Sequence, residues 1–291
     1  MDAWGIENDL YALARSCKIP LKTYLDFIER YCFDCGYPLN FSVSGHLYGL
    51  SVLLHGTSQD SRINELIISY HKLILDQTGW QSRDSDDDVT IMLRSVAIRN
   101  LGIAGDKDTE DRAKALFKDY IEKGKPIETN IRSAVYAINA WTGDDWAFGK
   151  FAELYKNVEL PEERSKLLAA LGNFGSTALA KKGLSLTLSK YVRLQDSPTI
   201  PAVASSNYVG KELIWSWTKA NWKTLARRCK AQLMLSSFVG DLGIVGDQKT
   251  RDEIKRFYAN PKNMKKEIKR ELAQTLERID TNIRFEKLQA N

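Results

Sequence analysis

Little in this chain of 291 residues points to a covalent staple, a membrane or a reactive centre. Four cysteines are too few for a disulfide scaffold, so a reduced, cytoplasmic setting is expected. Seven prolines and 18 glycines exclude collagen-like and proline-rich stalks. No apolar run approaches the roughly 20 residues that a membrane span needs, and mean hydropathy is −0.35, so no membrane partner is expected. The opening Met1-Asp2-Ala3-Trp4-Gly5 is acidic and broken early, which does not read as a secretory signal. Charge of one sign is lacking too. Lys and Arg number 42 against 37 Asp and Glu, and the signs are interspersed. A nucleic-acid binder gathers its excess on one face, so no nucleic-acid partner is expected. What is present is 43% hydrophobic residues, enough for a large core and too many for a disordered chain.

Reactive motifs are missing as well. The histidines are His46, His55 and His71, and none has a helical i, i+4 partner, so the His-Glu-x-x-His helix of zinc peptidases is absent. Neither Gly-x-x-x-x-Gly-Lys-Ser/Thr nor Gly-x-Gly-x-x-Gly nor Gly-x-Ser-x-Gly occurs. The one metal-like set is Cys32 and Cys35 with the distant His46 and His55. It has zinc-type ligands, but the histidines lie nine apart in an apparent helix, which makes convergence awkward. The simpler expectation is two half-buried thiols at a helix end, with Cys17 and Cys229 as small core residues. No catalytic residue and no metal ligand is therefore assigned. Asp84, Asp86, Asp87 and Asp88 suit a solvated loop that caps the next helix.

Helical periodicity fills the remainder. Ile63, Leu66, Ile67, Tyr70, Leu73 and Ile74 share one face, as do Ala113, Leu116, Phe117, Tyr120 and Ile121. Met264, Ile268, Leu272, Leu276, Ile279 and Ile283 make a stripe in the last long segment. Pro20, Pro126, Pro161 and Pro261 fall between such runs. Gly102, Gly105, Gly143, Gly172, Gly175, Gly183, Gly210, Gly243 and Gly246 are expected at helix ends. Leu101-Gly-Ile-Ala-Gly-Asp106 is echoed at Leu242-Gly-Ile-Val-Gly-Asp247, with a looser version at Tyr136–Asp144. Either a structural repeat or shared capping chemistry explains the echo, and Thr250 with Glu253 fits a capping box. Length allows two domains or one elongated array. The expected fold is all-α: a single HEAT- or armadillo-like superhelical domain over residues 1–291, curved into a concave bowl.

Three ordered stretches carry a resemblance: Asn130-Ile-Arg132-Ser-Ala-Val-Tyr136, Tyr191-Val-Arg193-Leu-Gln-Asp196, and Gly210-Lys-Glu-Leu-Ile-Trp215-Ser-Trp217-Thr-Lys-Ala-Asn-Trp222. Ile6–Ala14, Glu163–Gly172 and Leu272–Ile283 add to it. Together they resemble the large helical C-terminal domain of the M1 zinc aminopeptidases, including the puromycin-sensitive and tricorn-interacting-factor branches. Trp215-Ser216 departs from the family's frequent Trp-Asp. The family's zinc helix and Gly-x-Met-Glu-Asn strand are not in these residues. The resemblance implies a non-catalytic domain that encloses a substrate chamber, limits peptide access and touches the distal part of peptide substrates. It also implies an M1 catalytic domain of the same protein as partner, with the zinc held there and no cofactor here. The alternative is a free-standing helical-repeat scaffold for a protein or peptide partner.

Arg132 and Arg193 are the peptide-binding candidates, because a guanidinium pairs with carboxylates as a fork. The simpler expectation for each is a structural role, bridging helices through Asp196 or Glu163. Trp215 and Trp222, seven apart, fit core packing. The basic run Lys262, Lys265, Lys266, Lys269 and Arg270 fits a solvated face.

Overall fold

The computed structural model describes residues 3–31, 36–229 and 234–289. Among the described residues it is all-α, with fifteen α-helices, three short 3-10 turns and no strand. By its contacts the chain divides into two compact units, residues 143–286 and the remainder.

The first unit holds α1 (Ala3–Arg15), α2 (Leu21–Tyr31), α3 (Tyr37–Leu53), α4 (Asp60–Thr78), α5 (Asp88–Ile103), α6 (Lys107–Lys123) and α7 (Thr129–Trp141). The helices pack on near neighbours in sequence: α1 on α2 and α3, α3 on α4, α6 on α7, and α5 on α3, α4, α6 and α7. Short-range pairing of this kind is what stacked helix pairs produce. The α4 stripe is buried as expected at Ile63, Leu66, Ile67, Tyr70 and Ile74, whereas Leu73 lies in solvent. On α6 the buried apolar face is narrower than its periodicity, reduced to Ala113 and Phe117.

Aspartates start these helices. Asp87 accepts from the Thr90 amide at 2.8 Å, and Asp106 from the Thr109 amide at 3.2 Å. Each satisfies an amide that has no partner within its helix. The acidic run before α5 has a second use. Arg94 of α5 is fully buried; its guanidinium donates to the carbonyls of Thr78 and Gly79 at the end of α4 and pairs with Asp86. A buried cation thus closes one helix while an acid from the loop neutralises it.

His71 of α4 is sealed between α3 and α5. Its Nδ1 donates to the Ile67 carbonyl at 2.7 Å, its Nε2 accepts from the Asn100 amide at 3.0 Å, and Ser44 Oγ lies 3.0 Å away. Burial pushes this imidazole down to about 4, and the charge of Arg99 adds to the shift. The folded state therefore keeps His71 neutral where an unfolded chain, titrating at about 6.5, takes a proton. Its stability is full above that value and falls as acid is added. The expected loss in the first unit is roughly 2 kcal/mol at about pH 5 relative to pH 7. Urea unfolding of the protein and of His71→Gln at both pH values checks this. The acid-induced loss should shrink in the variant, and an unchanged loss assigns the effect elsewhere.

The second unit holds α8 (Asp145–Asn157), α9 (Pro161–Gly172), α10 (Thr177–Leu186), α11 (Thr199–Ser205), α12 (Tyr208–Arg228), α13 (Met234–Gly240), α14 (Gln248–Ala259) and most of α15 (Lys269–Gln289). Trp215 and Trp222 are buried on α12, set edge-on to Phe257 and Tyr258 of α14. Their indole N–H groups are satisfied by Glu253 and by the Asn263 carbonyl.

Three sequence expectations need correcting here. The cap of α14 is Asp247, which accepts from the Thr250 amide at 2.8 Å, so Thr250 is not the capping-box residue. With Asp106 and Asp144, this makes the echo one of capping aspartates. Next, Gly183 and Gly210 lie inside α10 and α12 and serve close packing, while Gly102 and Gly172 do fall at the ends of α5 and α9, and Gly105, at φ +95°, closes a helix. Last, the seam of α15 runs through Ile268, Leu272, Thr275, Ile279, Asn282 and Phe285, leaving Leu276 and Ile283 half-buried. Thr275 donates to the Val239 carbonyl, and Asn282 to those of Gly243 and Val245. Polar residues take the seam because α13 and the turn after it present unpaired carbonyls there.

Candidate functional site

Arg132 sits in the first two turns of α7. Its Nε and Nη2 donate to the Ile127 carbonyl at 3.3 and 2.9 Å, turning the side chain back onto the loop that leads into its own helix. Asn130 reaches the Ser82 hydroxyl, which also contacts Glu128 and Arg94. The Asn-Ile-Arg motif therefore ties two loops to the start of α7.

Arg193 belongs to the second unit and lies in different surroundings. It stands before the 3-10 turn Leu194–Asp196, and its Nε donates to Asp196 at 2.7 Å. The pair is local and bridges no helices. The Arg193 side chain stays 45% exposed, which leaves much of the guanidinium open to solvent.

Around Arg193 the fold assembles groups that the spacing of the sequence did not bring together. The last turn of α8 supplies Tyr155 and Lys156, and the loop after α10 supplies Lys190 and Tyr191. Tyr155 donates its hydroxyl to the Tyr191 carbonyl at 3.3 Å, pinning that loop to α8. The Tyr191 ring stands 52% exposed, with the ammonium groups of Lys156 and Lys190 at 5.0 and 5.4 Å from its centroid. Arg164 of α9 lies alongside; its Nη2 donates to the Val158 carbonyl at 2.7 Å, and its buried Nε has no hydrogen-bond partner. Arg228, at the end of α12, donates to the Leu188 carbonyl on the same loop at 2.6 Å. Burial lifts the Tyr155 phenol above its usual range and the Asp196 charge adds to this, while Arg164 and Arg193 pull it back. The arrangement suits holding an anion.

A second polar centre lies in the first unit. Glu7 of α1, fully buried, accepts from Tyr24 at 2.5 Å and Ser42 at 2.7 Å, with His46 Nδ1 at 2.7 Å. Tyr11 stacks on the His46 ring at 3.6 Å. Burial pushes the Glu7 carboxyl up, but these hydrogen bonds outweigh it and hold the group below the usual carboxylate range. Five side chains close on one another here and join α1, α2 and α3. No motif signalled the cluster, because its members come from three helices.

Cys32 and Cys35 lie outside the described residues. The histidines considered with them are each engaged by a carboxylate, His46 by Glu7 and His55 by Asp60 at 3.1 Å. Cys229 is buried, and burial raises its thiol. Cys17 is no core residue. It is half-buried at φ +61° in the turn that ends α1. Among the described residues no group of three His, Cys, Asp or Glu side chains could hold a metal ion, and no helix is long and apolar enough to cross a membrane. The basic residues Lys262, Lys266, Lys269 and Arg270 are exposed, and Lys265 is partly so.

The model of the ERAP1-like C-terminal domain family matches residues 1–281. Aminopeptidase M1-B of Oryza sativa subsp. japonica is 24% identical over 293 residues, covering 98% of this chain and 33% of that protein. Glutamyl aminopeptidase of Homo sapiens is 26% identical over 230 residues, covering 78% of this chain and 24% of the enzyme. Aminopeptidase 2 of Candida albicans is 25% identical, covering 96% of this chain and 30% of its own length. The chain thus spans about a third or less of the length of these relatives. With the match running from the first helix into the last, this chain belongs to the family of ERAP1-like C-terminal domains.

Proposed function

We propose that residues 1–291 work as one non-catalytic domain of an M1 zinc aminopeptidase. In this role the helices enclose a substrate chamber, limit peptide access and contact the distal part of a bound peptide. A catalytic domain outside this chain holds the zinc and removes N-terminal residues. The observation that supports this most is the family match across almost the whole chain, which covers only a third of the aminopeptidases it resembles. Stacked helices offer a long surface for a peptide, and binding energy from remote residues can position a reacting bond elsewhere. Arg132 and Arg193 remain the peptide-contact candidates within this proposal. Arg193 is the stronger, since its guanidinium is open while that of Arg132 is turned onto the Ile127 carbonyl. A cytoplasmic site of action is part of the same proposal.

The purified chain, given a panel of aminoacyl p-nitroanilides with and without added zinc, is expected to release no chromophore. It is also expected to bind peptides in a fluorescence-anisotropy titration. Release that co-purifies with the chain and responds to substitutions in it would overturn the assignment of roles.

A further inference from the structure

We infer that the exposed ring of Tyr191 and the cations around it form a subsite for the carboxylates of an acidic peptide segment. This deepens the peptide-contact role proposed above and rests on it. Four parts of the second unit converge here: the end of α8, the first turn of α9, the loop after α10 and the end of α12. They bring Lys156, Lys190, Arg193 and Arg228 to the loop after α10, while Arg164, held to the Val158 carbonyl between α8 and α9, adds its charge beside Tyr155. The carboxylate paired within the group is Asp196, and it is taken by Arg193. Neither Lys156 nor Lys190 forms an ion pair among the described residues, although the chain as a whole carries nearly as many acids as bases. Their partner is the Tyr191 ring, which holds both ammonium groups without neutralising them. Arg164 adds a buried Nε that has no acceptor. An unbalanced cluster of this kind is a standing attraction for anions.

The ligand class follows from the shape of the group. Two ammonium groups are held over one exposed ring, so a segment carrying carboxylates gains charge-assisted hydrogen bonds from both. Single-stranded nucleic acid is a poorer fit, because it is held by successive stacking rings along a longer basic track, and here there is one ring. Lys156, Lys190 and Arg193 are exposed, so the preference weakens with added salt.

The test uses the intact chain and fluorescein-labelled decapeptides ending either in alternating Asp and Glu with a free carboxylate or in Asn and Gln with an amide. The acidic peptide is expected to bind about tenfold more tightly at low salt. Lys156→Gln/Lys190→Gln is expected to remove that preference, and Tyr191→Ala to reduce it. All three side chains are exposed, so thermal melts of the variants should match the parent. Equal binding of the two peptides, unaffected by the substitutions, would overturn this subsite and leave the peptide-contact role standing. Binding of neither peptide would overturn the peptide-contact role itself. Tighter binding of oligo-U than of the acidic peptide, lost in the double lysine variant, would replace the peptide with nucleic acid and overturn the inference.

Discussion

Alanine at Gly210 is expected to destabilise the second unit by about 3 kcal/mol or more, while alanine at Gly149 stabilises it by up to about 1 kcal/mol. Both glycines lie in α-helices, where alanine is the better helix former, so intrinsic propensity predicts a gain at each. The neighbours decide the sign. A methyl group on Gly149 meets nothing within 4 Å. On Gly210 it falls on the backbone of Ala204, at the end of α11, and nothing there can rotate aside. Gly183 is alike, since its added methyl meets the Leu171 carbonyl. Gly102 is intermediate: the obstacle is a side chain and not backbone, but Cδ1 and Cγ1 of the buried Ile138 both lie at 2.5 Å, so this residue must repack. The expected order of stability is therefore Gly149→Ala, parent, Gly102→Ala, then Gly183→Ala and Gly210→Ala. Urea titrations give the order, and hydrogen exchange in α9–α12 locates the loss. A Gly210→Ala protein as stable as the parent would mean that α11 and α12 do not approach as described.

The second large effect is electrostatic. Asp241 follows α13 and starts the turn that packs beneath α15, and its Oδ2 is buried without a hydrogen-bond partner. Burial pushes the carboxyl up to about 7; the Arg278 charge opposes this and the Glu271 charge adds to it. Arg278 is a weak rescuer because its Nη2 is already held by Glu271 at 2.6 Å, with Thr275 Oγ1 at 3.1 Å. In an unfolded chain this carboxyl ionises near 4. Folding therefore favours the protonated acid. Its contribution is complete below that value and is lost as pH rises to about 7. Asp241→Asn keeps the shape and removes the titration. The variant is expected to be more stable than the parent by roughly 3 kcal/mol at about pH 8, with the difference shrinking toward pH 4. Thermal or urea unfolding across this range measures it. A difference that does not change with pH would show that Asp241 is ionised in the fold at no cost. His71 and Asp241 act in opposite directions, acid weakening the first unit and base the second.

Much was legible in the residues alone. Helical periodicity marked the buried face of α4 and, at Ile268, Leu272 and Ile279, part of the last seam, and the spacing of Trp215 and Trp222 correctly put both indoles on one buried face of α12. The acids before α5 were read as a capping loop, and Asp87 does cap that helix. The ordered motifs at Asn130, Tyr191 and Gly210 pointed to the family that residues 1–281 match. The misses share one cause. The roles of Gly210, Thr275 and Asn282 depend on another element's backbone, respectively the Ala204 carbonyl, the Val239 carbonyl and the carbonyls of Gly243 and Val245. A periodic pattern gives a side chain's direction from its own helix, and it cannot say what waits in that direction.

The candidate site divides in the same way. Arg193 was singled out by its motif, but Lys156, Lys190 and Arg164 were ordinary surface cations until the loop after α10 was pinned to α8. Glu7, Tyr24, Ser42 and His46, spread over 40 residues of chain, made no pattern until three helices closed around them. Helix content, capping and family are written in local spacing, because each rests on interactions within about one or two helical turns. Where charge gathers, which glycine is indispensable and which acid keeps its proton were decided only by tertiary packing. Those properties depend on distances between side chains far apart in sequence and on the water that packing removes from around them.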